Sequence, residues 1–212
     1  MAQLPKGIMG GVSGKLGPLL GTSCKGINVL RNIPANTNHQ PTPTQQLQLQ
    51  KFKTVSAFLS PLKQLLIETF DATGLQKTGY NTAMSYHLRE ALLQQENNFS
   101  INYSKALVSM GCLRGLEDAT LQLSFSSQLQ LQWTDNSHKA MAHPTDKLII
   151  VLYNPQTHNY LWQLTETPRN ALSYSVSLPS TKEEMQWHVW AAFMSSQTQT
   201  ASLSDYFGVV KV

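Results

Sequence analysis

From Phe99 onward the apolar residues recur at every second position, a period that suits strands and not helices. Phe99, Ile101 and Tyr103 alternate, then Leu121, Leu123 and Phe125, then Leu129, Leu131 and Trp133. Further on, Leu172, Tyr174, Val176 and Leu178 alternate, and so do Trp187, Val189, Ala191 and Phe193. Residues 147–153 read as a buried strand with Ile149, Val151 and Tyr153 on one face; 160–164 read as its return, and 203–212 as a last strand. Asp135-Asn136-Ser137, Asn154-Pro155 and His158-Asn159 supply turn residues between them. Short strands at this spacing predict an antiparallel β-sandwich over residues 116–212.

Ahead of the switch the period is helical. Phe52, Val55, Phe58, Leu59 and Leu62 recur three and four apart, with Thr44 as N-cap. Pro61 marks a kink or a new helix start. Leu65, Leu66 and Phe70 continue the stripe, Gly74 and Gly79 mark a turn, and residues 80–95 repeat the pattern through Met84, Leu88, Ala91 and Leu92. Residues 44–115 therefore read as a helical segment with a strand hairpin. His87, next to the stripe, reads as a packing residue. The fold class is α+β: a glycine-rich arm, two or three helices, and a sandwich.

The arm, residues 1–43, holds seven of the twelve glycines, at Gly7, Gly10, Gly11, Gly14, Gly17, Gly21 and Gly26. Glycine this frequent opposes a helix and permits turns and close backbone approach, so 8–29 reads as an irregular β-hairpin. Pro34, Pro41 and Pro43 make the next stretch a linker. Lys15 beside Gly14 suggests a phosphate-binding loop, but Leu16 stands where that motif needs Ser or Thr. The arm also carries charge. No acidic residue precedes Glu68, whereas Lys6, Lys15, Lys25, Arg31, Lys51, Lys53 and Lys63 do. The remaining chain has nine basic and twelve acidic residues. Such segregation suits an anionic partner, head-to-tail self-association, or simply a solvated arm.

Motifs for chemistry are sparse. Cys24 and Cys112 match no metal or redox spacing and read as two reduced thiols, or as one long-range disulfide. His138 and His143, flanked by Asp135 and Asp146, are the weak metal candidates; a polar loop is the competing reading. No Gly-x-Ser-x-Gly elbow occurs, and Glu117-Asp118 and Glu183-Glu184 read as solvated pairs. No catalytic residue and no cofactor are assigned. The Trp190 and His188 face reads first as a second face packed against the helices; the competing reading is a platform for sugar or peptide formed by Trp190 or Trp162. The chain has no apolar run of membrane-spanning length and no signal-peptide core, which predicts a cytoplasmic protein or export by a non-standard route.

The sandwich pattern, through Trp133, the strand at 148–153 and 187–193, resembles a fibronectin type III or immunoglobulin-like domain. The motif order over nearly the whole chain resembles a Bacteroidetes family of unknown function, DUF6266. That resemblance is carried by Gly14-Lys15-Leu16-Gly17, Lys25-Gly26-Ile27, Phe52, Phe58-Leu59, Pro61-Leu62, Tyr80-Asn81 and Ser85-Tyr86. It continues through Tyr103-Ser104-Lys105, Val108-Ser109, Trp133-Thr134-Asp135-Asn136-Ser137, Thr145-Asp146-Lys147 and Tyr153-Asn154-Pro155. Cys24 departs from it, standing where the resemblance implies tryptophan. It implies no activity, cofactor or catalytic residue. The leading expectation is a non-enzymatic structural or interaction protein that self-assembles or docks on a larger assembly, with Gly14, Lys15, Gly17, Lys25, Gly26, Arg31 and Trp190 as contact residues. The alternatives are nucleic-acid binding by the basic first third and carbohydrate or peptide binding by the sandwich.

Overall fold

A computed structural model describes residues 10–24, 26–33, 40–71, 77–95, 98–124, 128–179 and 185–212. The chain forms two compact units, Met1–Thr44 and Gln45–Val212. Lys25, Pro34, Gly74, Phe125 and Glu183-Glu184, all used in the sequence reading, lie outside the described residues.

The first unit contains a three-stranded antiparallel meander, β1 (Gly14–Leu16), β2 (Leu19–Cys24) and β3 (Ile27–Asn32), in that spatial order. Leu16 pairs with Leu19, leaving Gly17-Pro18 as a two-residue loop. Gly17 has φ +57°, and proline then holds its own φ near −65°; this sequence of signs is that of a II′ hairpin turn. So the arm holds one strand more than a hairpin, and every residue of β3 is exposed.

Helix α1 (Pro43–Leu59) spans the boundary of the two units, and its first turn already includes Thr44; Thr44 is thus inside the helix and not its cap. Pro61, which lacks an N–H, sits in a 3₁₀ turn, Ser60–Leu62, that leads into α2 (Lys63–Thr69). Val55, Phe58, Leu59, Leu62, Leu65 and Leu66 remain one buried stripe across the break. Helix α3 (Gly79–Glu90) starts at Thr78, whose hydroxyl accepts from the Asn81 N–H at 3.3 Å. A side chain at Gly79 would meet the carbonyls of Leu66 and Phe70, so glycine lets α3 begin against the end of α2. The helix ends at Glu90, short of the expected 95: Leu92 and Leu93 enter β4 (Leu92–Gln95), which pairs with β5 (Asn98–Ile101). The helical spacing from Leu88 runs on through Ala91 and Leu92, but the cross-strand ladder with β5 takes precedence over that stripe.

The remaining strands are β6 (Thr120–Ser124), β7 (Gln128–Gln132), β8 (Lys147–Asn154), β9 (Asn159–Pro168), β10 (Ser173–Ser177), β11 (Gln186–Met194) and β12 (Asp205–Lys211). They form two sheets, β10-β7-β6 and β12-β11-β8-β9, antiparallel throughout. Leu148, Ile150, Leu152, Val189 and Phe193 face the three-stranded sheet, where Leu129, Leu131 and Trp133 meet them. This three-plus-four arrangement is an immunoglobulin-like sandwich, the architecture shared by fibronectin type III domains, within an α+β chain.

The opposite face of the larger sheet is buried too. Ile149, Val151, Tyr153, Trp190, Ala192 and Met194 pack on the stripe of α1 and α2, with Ala83 from α3 and Val108. The result is three layers: helices, four-stranded sheet, three-stranded sheet. Residues on both sides of position 116 occupy one core. Crossing segments tie it further: the Ser109 hydroxyl donates to the Ser202 carbonyl at 2.8 Å, and the Ser204 hydroxyl accepts from the Val108 N–H at 3.0 Å.

Candidate functional site

Three features of the described residues carry polar groups that a folded core does not by itself require. The first is a buried charge at one end of the sandwich. Arg169 begins a 3₁₀ turn after β9, and its side chain is wholly buried beside Asp146. Its Nε and Nη2 lie 3.2 and 3.1 Å from Asp146 Oδ2. Nη1 donates to Asn136 Oδ1 and to the Gly115 carbonyl, and Nη2 to the Arg114 carbonyl at 2.8 Å. The guanidinium lies 4.0 Å over the Phe193 ring, and Trp133 Nε1 donates to the Arg169 carbonyl at 2.6 Å. Burial lowers the arginine pKa and the Asp146 carboxylate opposes that. One guanidinium thus fastens the 114–115 segment, the 133–146 loop and the end of β9.

This pair decides the place of His138 and His143. Both are exposed, and Asp146, their flanking carboxylate, is committed to Arg169 and to the His143 N–H at 2.8 Å. Among the described residues, no three His, Cys, Asp or Glu side chains gather at metal-binding distance. Glu117 binds Lys139 at 2.7 Å on the surface, and Cys24 and Cys112 are free and exposed.

The second feature is an aromatic wall beside an open groove. Tyr103, Tyr153 and Tyr160 cluster with Phe58; ring centroids lie 5.6 Å apart for Tyr103 and Tyr153, and 4.4 Å for Tyr153 and Tyr160. The His188 ring lies 4.0 Å from that of Tyr103, tilted by 37°, and shares a 2.7 Å hydrogen bond with the Tyr206 hydroxyl. His158, with φ +55° in the β8–β9 turn, places Nδ1 3.1 Å from the Tyr153 hydroxyl. A cavity of about 410 Å³ opens on this wall. A second, of about 430 Å³, lies along α1 and shares Thr54 and Ala57 with it, so the two make one groove. Burial pushes the Tyr103 and Tyr160 phenols well above the ordinary tyrosine value. The Tyr160 hydroxyl donates to the Phe58 carbonyl at 2.8 Å. Sequence reasoning missed this wall: the residues come from four distant segments, and His158 was read only as part of a turn.

The third feature is the meander. Lys15 pairs with Leu20, and Leu20 with Arg31, so both charges share one face with Val29 and Ile27. Leu16, Leu19 and Leu30 lie on the other face, and Leu30 is 57% exposed. Gly14, Gly17 and Gly26 all take positive φ, as turn and bulge positions do; Lys25 lies outside the described residues.

Trp190 corrects the platform reading. It is 0% exposed, and its Nε1 donates to the Ala106 carbonyl at 2.9 Å, so it packs against the helices as the first reading had it. The helices cover the face that strand alternation alone leaves open. Trp162, on edge strand β9, is 40% exposed beside a cavity of about 190 Å³ that reaches Val176. Among the described residues, no helix is long and apolar enough to cross a membrane.

No curated protein matches the chain. Among solved structures, it is similar to the FN5 domain of Drosophila Lar, at 10% identity and a TM-score of 0.28, over 46% of this chain and 90% of that one. At that score the likeness adds nothing to what the strand order shows. The family comparison does: a family of unknown function, DUF6266, matches residues 11–208, and the chain belongs to that family.

Proposed function

We propose that the protein is a non-catalytic interaction module that self-assembles, or docks on a larger assembly, through its N-terminal meander and its sandwich. One observation carries this reading: all six residues of β3 are exposed, and β3 is an edge of its sheet, with no strand on its outer side among the described residues. An edge strand presents unpaired N–H and C=O groups, and here it adds exposed Ile27, Val29 and Leu30. A strand from another chain satisfies both needs at once. The division of labour follows the chain: the arm of 1–43 supplies the meander, and the helical segment of 44–115 and the sandwich of 116–212 supply the rest. Light scattering on the full chain and on a variant lacking residues 1–33 tests it. A multiple of 23.6 kDa that collapses to one chain on deletion supports the reading. A single-chain mass for both variants, with no partner retained by the arm in cross-linking, overturns it.

Lys15 and Arg31 on one face of the meander favour a second reading, contact with nucleic acid. Phosphate contacts make such binding fall steeply with salt. Absence of a gel shift with DNA or RNA at low salt removes it.

A further inference from the structure

We infer that the groove between α1 and β5 is a binding site for an extended peptide that carries a carboxylate. The peptide adds as a strand to the free edge of β5, and one of its apolar side chains rests on the tyrosine wall. All the residues of this site belong to the 45–212 unit.

The argument begins with hydrogen bonds. Strands β4 and β5 pair as Gln95 with Asn98, Gln94 with Phe99, Leu93 with Ser100 and Leu92 with Ile101. The Asn102 N–H bonds to the Ala91 carbonyl at 2.8 Å, one step beyond. Antiparallel ladders alternate bonded and non-bonded pairs, so positions 98, 100 and 102 bond inward to β4. Phe99 and Ile101 therefore turn their N–H and C=O away from it. Among the described residues, no backbone partner meets these groups. They point to the open side of a two-stranded sheet, and backbone groups left without partners there favour strand addition.

The groove lies on that side. Asn98 and Phe99 line its first part, Ser100 and Ile101 its second. A groove on a sheet face touches every second residue of a strand. Four consecutive residues mean that this one follows the edge. Residues Gln50, Thr54 and Ala57 of α1 form the opposite bank. A channel bounded by a strand edge and a helix accepts one extended chain, with main-chain bonds on one side and side-chain contacts on the other.

The two ends differ in chemistry. At the first, Lys53 is the charged lining residue, and the Lys51 ammonium lies 5.4 Å over the Phe99 ring. At the second, Phe58, Tyr103, Tyr153 and Tyr160 supply an aromatic wall. A carboxylate near Lys53 and a leucine-sized side chain on the tyrosines match this polarity.

The test uses the full-length, ¹⁵N-labelled protein and two acetylated, amidated pentapeptides, Leu-Thr-Val-Thr-Glu and its reverse, so that either strand direction is sampled. The expected result is binding by one of them, with the largest amide shifts at Phe99 and Ile101. N-methylation of alternate peptide amides, which keeps the side chains and removes the strand donors, is expected to abolish it. Lys53→Glu is expected to weaken binding at least about tenfold at low salt, and Ala57→Trp, which fills the groove, to eliminate it. Both residues are exposed, so an unchanged amide spectrum reports an intact fold. No binding by either peptide at millimolar concentration overturns the inference. So does equal binding of the N-methylated peptides, or shifts confined to residues 10–33, which would instead support the meander as the docking surface.

Discussion

Strands β3 and β8 are built from similar residues and meet opposite environments. Ile-Asn-Val-Leu-Arg-Asn in β3 is exposed at every position, whereas Leu148 to Asn154 of β8 is buried at every position. The difference lies in what surrounds each strand. Helices cover one face of β8 and the three-stranded sheet covers the other, so alternation brings every side chain into a core. Nothing within the meander covers β3. Apolar content alone therefore does not distinguish a core strand from a docking strand; the number of covered faces does.

Substitutions can break this comparison. The largest effect is expected at Trp190, where helices and sheet meet. Trp190→Ala should destabilise the 45–212 unit by about 3–5 kcal/mol. Denaturant unfolding followed by circular dichroism should show helices and strands lost together; separate transitions for helices and sandwich would refute a shared core. Arg169→Ala comes next, at about 3–5 kcal/mol, because it leaves Asp146 buried without its partner. Arg169→Met combined with Asp146→Leu removes both charges and should recover much of that loss in the same assay.

A smaller effect follows from pH. His87 is fully buried; its Nε2 accepts from the Leu107 N–H at 3.3 Å, which leaves Nδ1 to donate to the Ala83 carbonyl at 2.8 Å. Desolvation lowers its pKa to about 4, and the Ala83 carbonyl opposes this only in part. A folded-state pKa below the unfolded value near 6.5 means that the unfolded chain binds the proton first. Stability is therefore complete above about pH 6.5 and is lost as pH falls toward 4, by up to about 3 kcal/mol. Thermal melts from pH 7 to 4 should show a decline that His87→Gln flattens. The smallest expected change in stability is in β3. Val29→Thr should alter it by less than about 0.5 kcal/mol while reducing any association measured by light scattering. A large loss of stability would show instead that β3 is part of a core.

The strands were largely legible because a period of two is a local signal: residues 129–133, 147–153 and 187–193 form strands at or within a residue or two of their expected places. The helix after Gly79 was legible as far as Glu90. Its end was not, because Ala91 and Leu92 continue the helical spacing from Leu88, and only pairing with β5 takes residues 92–95 out of the helix. The place of Trp190 stayed open between a packed face and a platform because alternation tells which residues share a face and not what lies over that face. Of the site, Lys15 and Arg31 were visible as charges, but their common face depends on β-register. The tyrosine wall was not visible at all, since Phe58, Tyr103, Tyr153 and Tyr160 are ordinary core residues when read singly.

The sequence by itself determined the α+β class, the order of arm, helices and sandwich, and the charge division at Glu68, since each rests on period, turn chemistry or composition within a short window. Only the tertiary structure decided that the helices and sandwich share one core, that Arg169 is paired at its end, and that a strand edge, a helix and four aromatic rings line an open groove. Those depend on long-range contacts, Phe58 to Tyr160 and Trp133 to Arg169 among them, which bring together groups that carry no common mark along the chain.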